Sequence, residues 1–257
     1  MTGFGALLRK ELVESWRTRR LPVVVILFAA IGILSPLTAR YLPEILKLAV
    51  GDQLTIPIPT PTPADAVLQL QKNLGQLGAF AAIVLAMGSV AGEKERGTAA
   101  FLLTKPVGRG GFIAAKLVGL GVVIAVAVLG AVALGWIYTA ILFEPGPIGG
   151  WVALAVLTWI GLASWAAITF LASTVFGSAA AAAGVGVVAL IVVSLVAAIP
   201  GVGRFLPSGL DGPALALATG QSSGAATADL GTAIAGSLVL IGLVALGAWL
   251  SFRRQEL

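Results

Sequence analysis

Six stretches of this chain run for about twenty residues with almost no charge, and that pattern leaves few ways to fold. They cover residues 21–39, 74–91, 117–143, 151–176, 179–199 and 230–252. At about 1.5 Å per residue, each is long enough to cross the ~30 Å hydrocarbon core of a bilayer as a helix. Hydrocarbon offers no partner for a free N–H or C=O, so a span of this kind must satisfy its backbone internally and is helical. Composition agrees: 58% of residues are hydrophobic and 11% are charged, where a soluble domain carries roughly 25% charged residues. The expected fold is an all-α polytopic membrane protein with six transmembrane helices, forming one transmembrane domain over residues 1–257. The first run is too long to be a cleaved signal peptide, and no small-residue cleavage site follows it well.

The residue types that are missing narrow the function. Cysteine and histidine are both absent, which removes thiol chemistry, His-based acid–base catalysis and the commonest metal ligands. No catalytic, cofactor-binding or metal-binding residue is expected, and the chain does not read as an enzyme. No GxxxxGK[ST] phosphate loop occurs, so the chain is not expected to bind ATP in that way. None of the six runs holds an ionisable residue clearly in its interior, which counts against a proton-coupled carrier. The net charge of +5 does not point to nucleic acid, because the basic residues lie along the membrane borders.

Those borders orient the chain. One side holds Arg9, Lys10, Arg17, Arg19, Arg20, Lys94, Arg96, Lys105, Arg109, Lys116, Arg253 and Arg254, while the other holds Arg40, Lys47, Lys72 and Arg204. Twelve basic residues against four place both termini in the cytoplasm of a multi-pass cell-membrane protein.

The connections differ in character. Residues 1–20 read as an interfacial helix, with Phe4, Leu7, Leu8 and Leu12 in one arc and Lys10, Glu14 and Arg17 turned away. Glu11 falls in the middle of the apolar arc. Either the helix end frays there, or Glu11 faces a protein partner. An outer loop is expected over 40–73; its proline-alternating centre IPIPTPTPAD is stiff, and 64–73 can begin a helix that continues into the second span. A second outer loop, 200–229, is rich in Gly, Pro and Ser yet apolar at Leu206, Leu210, Leu215 and Leu217. Short segments dipping back into the membrane, or a plain disordered loop, would both produce that pattern.

The remaining connection, 92–116, reads GEKERGTAAFLLTKPVGRGGFIAAK. Four consecutive ionisable residues, Glu93, Lys94, Glu95 and Arg96, cannot lie in hydrocarbon. Gly97 is expected to break the chain and Thr98 to cap a short apolar helix over 99–104 that is too short to cross a bilayer. Pro106 and the glycines after it form a turn. Such a helix either rests on the lipid surface or docks a soluble partner, with Phe101, Leu102 and Leu103 filling a groove and the flanking charges setting register.

This string resembles the cytoplasmic loop of ABC-2 type transporter permeases. The pattern shared with that family is Gly92, then EKERGT at 93–98, an apolar patch at Phe101, Leu102 and Leu103, Lys105 and Pro106 followed by Arg109, and then Phe112 and Lys116. ALLRKEL at 6–12 resembles the family's opening interfacial helix. NLGQLGAF at 73–80 is similar to the subgroup that includes the permease of the nitrous-oxide-reductase maturation system.

The resemblance implies a permease half of an ATP-driven transporter. Two permease subunits, as a homodimer or a sibling heterodimer, would sit in the lipid bilayer and join two copies of an ABC ATPase subunit that holds the ATP and Mg. This chain would bind no cofactor itself. The 92–116 segment would be the cytoplasmic coupling helix, docking the ATPase through Gly92, Glu93, Lys94, Glu95, Arg96, Gly97, Thr98, Phe101, Leu102, Leu103, Lys105, Pro106 and Arg109, with Glu11 beside them. Cargo would usually move outward. Two other readings are a non-transport membrane anchor or assembly factor, and a secondary carrier.

Overall fold

A computed structural model describes residues 3–50, 60–97, 108–144, 146–221 and 224–255. The expected coupling helix at 99–104, with Thr98, Phe101, Leu102, Leu103, Lys105 and Pro106, lies outside the described residues, as do residues 56–59 of the proline-alternating segment.

The described chain is helical, and six of its helices are long and apolar enough to cross a membrane. A first helix, α1 (Phe4–Arg17), ends where the Thr18 hydroxyl donates to the Glu14 carbonyl. Arg19 follows with φ +61 and turns the chain into α2 (Arg20–Val50). Then come α3 (Pro63–Met87), the short α4 (Ala91–Glu95), α5 (Arg109–Leu142), α6 (Ile148–Val175) and α7 (Ala179–Ala197). Two 3₁₀ turns (Gly203–Phe205 and Pro207–Leu210) lead into α8 (Asp211–Ala218), α9 (Gly224–Thr227) and α10 (Leu230–Arg253).

Several boundaries differ from those expected. The outer loop expected from residue 40 begins as helix, because α2 continues through Arg40, Glu44 and Lys47 to Val50. Its 31 residues span about 46 Å, more than the hydrocarbon thickness. Charge marks where a helix leaves lipid, not where its hydrogen bonds stop. α3 starts at Pro63, well before residue 74. Thr62 and Asp65 form a reciprocal cap, the Thr62 N–H donating to Asp65 Oδ2 at 2.8 Å, and Pro63 needs no donor at the first position. Likewise α5 begins at Arg109, so Lys116 lies inside a helix and is not in a loop before one.

The bundle is built around α6, the most enclosed span: 61% of its apolar window is buried, against 11% for α7 and 17% for α10. Its core includes Leu154 and Phe170 and meets Phe28, Leu70 and Leu74 from α2 and α3. In lipid, burial supplies little drive, so close backbone approach and buried polar contacts bind the helices. Gly32 of α2 lies against the Ala131 carbonyl of α5, where an added Cβ would sit 2.3 Å from the oxygen. Between α2 and α3, the Asn73 amide donates to Ser35 Oγ at 2.8 Å, with Ser35 fully buried.

The segment after α7 returns into the bundle. Gly150, near the start of α6, packs on the Leu217 carbonyl, while a Cβ added at Gly161 would lie 4.0 Å from Leu210 and Pro207. Eleven residues separate those two glycines, about 16 Å along the helix. The stretch over 207–217 therefore descends along α6. Its own 3₁₀ and α-helical turns satisfy much of its backbone, as a dipping segment requires.

Candidate functional site at the ionic end of the bundle

Five charged side chains from three helices meet at the end of the bundle that carries α1, α4 and the last turn of α10. Lys116 of α5 is the centre. Its Nζ lies 2.8 Å from Glu93 Oε1 and 3.1 Å from Glu11 Oε1, and its side chain is only 3% exposed. Lys10 Nζ closes the group from α1, at 3.1 Å from Glu93 Oε1, 3.2 Å from Glu11 Oε1 and 3.3 Å from Glu14 Oε2. The geometry has local causes. Phe112 and Lys116 stand four residues apart on one face of α5, so the ammonium sits 5.1 Å above the ring. Gly119, one turn nearly further on, leaves space for Glu11, since a Cβ there would lie 3.2 Å from Glu11 Cβ.

The electrostatics are mutually supporting. Burial alone lowers the pKa of Lys10, but the carboxylates of Glu11, Glu93 and Glu14 outweigh it and hold the ammonium above its ordinary value. Burial raises Glu14, and Lys10, Lys116 and Arg20 more than offset that, leaving its carboxyl below the usual range. Oxygens of Glu11, Glu14 and Glu93 lie within 4.8 Å of one another, as close as ligands of a cation would. Lys10 and Lys116 already occupy the space between those oxygens, so the arrangement is an ion-pair cluster. A cavity of about 30 Å³ beside it has room for a water or two.

The rest of the EKER motif reaches other helices. Lys94 Nζ donates to the Thr174 carbonyl at the end of α6, and Glu95 Oε1 accepts the Ala179 N–H at the start of α7, 3.0 Å away. Just before the motif, Ser173 Oγ accepts the N–H groups of Val90 and Ala91 at 3.1 and 3.0 Å. Arg96 Nε folds back to the Gly92 carbonyl at 2.9 Å, and Gly97 breaks the helix with φ +68. From α5, Arg109 donates to the Arg253 carbonyl at 2.8 Å, and Phe112 stacks on Phe252 with centroids 5.3 Å apart.

The candidate residues therefore divide. Glu93 is buried and Glu11 half-buried, both turned into the chain. Glu93, expected outside the hydrocarbon among the docking residues, instead pairs inward with Lys116, and Glu11 has a polar partner within the chain, on α5. Glu95, Arg96, Gly97 and Arg109 are exposed, with Gly92 and Lys94 intermediate. Sequence reasoning passed over Lys10, Glu14, Ser173 and Thr174. The four-residue spacing of Phe112 and Lys116 was the available signal that Lys116 faces inward.

Residues 5–215 match the family model described as "ABC-2 family transporter protein", a stretch that includes the whole ionic cluster. This chain belongs to the ABC-2 family. It is also similar to the "Uncharacterized transmembrane protein YxlG" of Bacillus subtilis (strain 168), 27% identical over 190 residues that cover 72% of this chain and 74% of that protein. Within this ABC-2 membrane component, residues 93–95 of the motif thus join α1, α5, α6 and α7.

Proposed function

We propose that this chain is the permease subunit of an ATP-binding cassette exporter, powered by a separate ATPase that engages its cytoplasmic face around residues 92–116. The observation that carries the reading is the dual character of the EKER motif. Its outer residues, Glu95 and Arg96, are exposed. Its inner residues, Glu93 and Lys94, are bonded to α1, α5 and α6, and Glu95 also accepts an N–H from the start of α7. A push on such a segment is delivered at once to α1, α5, α6 and α7, because packed interfaces move as rigid units and do not deform gradually. The twelve-to-four distribution of basic residues supports a cytoplasmic position for this end in the cell membrane.

In this reading two permease subunits pair, and two ATPase subunits supply ATP and Mg. Likeness over 73–80 favours the subgroup that includes the nitrous-oxide-reductase maturation permease. The test separates gripping from transmission. Arg96→Glu with Arg109→Glu is expected to abolish co-purification of a P-loop ATPase while membrane insertion stays normal. Glu93→Gln is expected to retain the ATPase but lose the change in its turnover that coupling to the permease produces. An unchanged complex with the double charge reversal overturns the docking reading.

A further inference from the structure

A second site lies at the opposite end of the bundle. Between α3, α6, α7 and the descending 207–215 segment there is a cavity of about 530 Å³, within the range of small-ligand pockets. Its walls change character with depth. Gly186 of α7 packs against Thr169 of α6 and Ile83 of α3, which puts these three residues at one level. Measured from that level away from the ionic cluster, Phe80, Trp165 and Leu190 lie three to four residues along their helices, about 5–6 Å. Gln71, Lys72 and Thr158 lie eleven to twelve residues along, about 16–18 Å. The deep end is apolar, and over about 12 Å the walls gain polar groups set among Leu68 and Leu157. Gln71 is sixteen residues from the Met87 end of α3, about 24 Å, and α4 with Glu93 lies beyond that end, so the polar end sits toward the opposite border of the hydrocarbon.

The polar end has unmet bonding capacity. Gln71 is 7% exposed; its amide N–H donates to the Asp211 carbonyl, while its Oε1 has no partner. Ser208 Oγ is also buried without a partner. Among the described residues neither Lys72 nor Asp211 forms an ion pair, although both line the cavity. An unmatched buried acceptor has given up its hydration for nothing, which makes such a group a good reporter of a ligand site. The acceptors want a donor, the carboxylate wants a cation, and the ammonium wants an anion.

We propose that this cavity binds a phospholipid of the ethanolamine-phosphate class from the leaflet at that end, which is the outer one in the orientation proposed above. Its chain lies against Phe80, Trp165 and Leu190. Its phosphate meets Lys72, and its primary ammonium donates to Gln71 Oε1, Ser208 Oγ and Asp211. A primary ammonium has three N–H donors for those acceptors, whereas a trimethylammonium head has none. Asp211 is exposed at the cavity mouth, where the protein mass beneath it still pushes its carboxyl up and Gln71 offsets only part of that, so a cation placed there favours the charged form. Only the choice of leaflet rests on the functional reading; binding to the cavity does not.

The test uses the purified full chain in non-ionic detergent, without any ATPase, and a fluorescent single-chain phosphoethanolamine lipid. Saturable binding is expected, at least tenfold tighter than for the same chain with a choline head. Gly75 lines the cavity, and a Cβ there meets nothing within 4 Å, so Gly75→Leu fills the space without a clash. It is expected to weaken binding tenfold or more with the unfolding temperature kept. Lys72→Gln, at an exposed position, is expected to weaken both phosphate-bearing probes, and Asp211→Asn to bring the ethanolamine-to-choline ratio near one. Equal binding of the two heads by the native chain, or no effect of Gly75→Leu, overturns the proposal. Loss of self-association in Gly75→Leu, with no probe binding in the native chain, assigns the cavity to a second copy and overturns it too.

Discussion

Lys116 illustrates what a single charge does when it is held inside a helix bundle. Its ammonium faces two carboxylates, and only 3% of its side chain is exposed. Such a group contributes little net stability as a pair, because desolvation offsets most of the attraction. Removing one member is another matter, since the remaining charge is left without compensation. Lys116→Met is therefore expected to destabilise the chain by about 3 kcal/mol, the low end for a broken buried pair because Lys10 still reaches Glu93. Combining it with Glu93→Gln should recover part of that loss, and thermal unfolding in detergent measures both. Recovery marks a specific pair, and simple addition of the two losses marks two unrelated defects. Much of this site was legible. The EKER string, its Gly97 break and the Phe112–Lys116 spacing are all visible in sequence. That Glu93 turns inward was not, because its partner on α1 lies 83 positions away and no local pattern joins them.

At the scale of helices, glycine decides where backbones touch. Gly32 faces the Ala131 carbonyl with no room for a methyl group, whereas a Cβ on Gly121 of α5 meets nothing within 4 Å. Gly32→Ala is expected to push α2 off α5 and cost about 1–3 kcal/mol, the usual range for overpacking. Gly121→Ala is expected to be neutral or to stabilise by up to about 1 kcal/mol through helix propensity. Unfolding temperatures of the two variants, measured side by side, check the contrast; equal effects would mean that Gly32 does not set the contact. Sequence gave no way to rank these glycines, since both sit in apolar runs. It did give the number of spans and a helix start near residue 64 ahead of the second span, because hydropathy is a local signal. The helix ends were less legible, as α2 shows: Arg40 and Lys47 read as loop, but nothing in LPEILKLAV stops a helix except Pro43, which the bundle accommodates.

Taken as a whole, the molecule is unevenly enclosed. α6 is wrapped on most sides, while α7 leaves most of its surface open and uses Ala182 and Gly186 to pack on its neighbours. The opposite face of α7 carries Ala180, Gly184 and Val188, all exposed, at the four-residue spacing that brings helices close in lipid. The paired permease proposed above needs one such surface, and α7 also touches the ionic motif through Ala179 and Glu95. A pair joined along α7 would place both motifs next to the shared interface, so that a push at either one is felt by both copies. The chain has no cysteine, which makes single introduced thiols unambiguous. Gly184→Cys, where a side chain meets no neighbour in its own copy, is expected to give a disulfide-linked dimer on mild oxidation in native membranes. Disulfide geometry demands that the two backbones lie within about 7 Å. Val126→Cys on α5, 43% exposed, is expected to stay monomeric. Cross-linking at Val126 with none at Gly184 would move the interface to α5 and separate the two motifs, and the shared-push arrangement would then be lost.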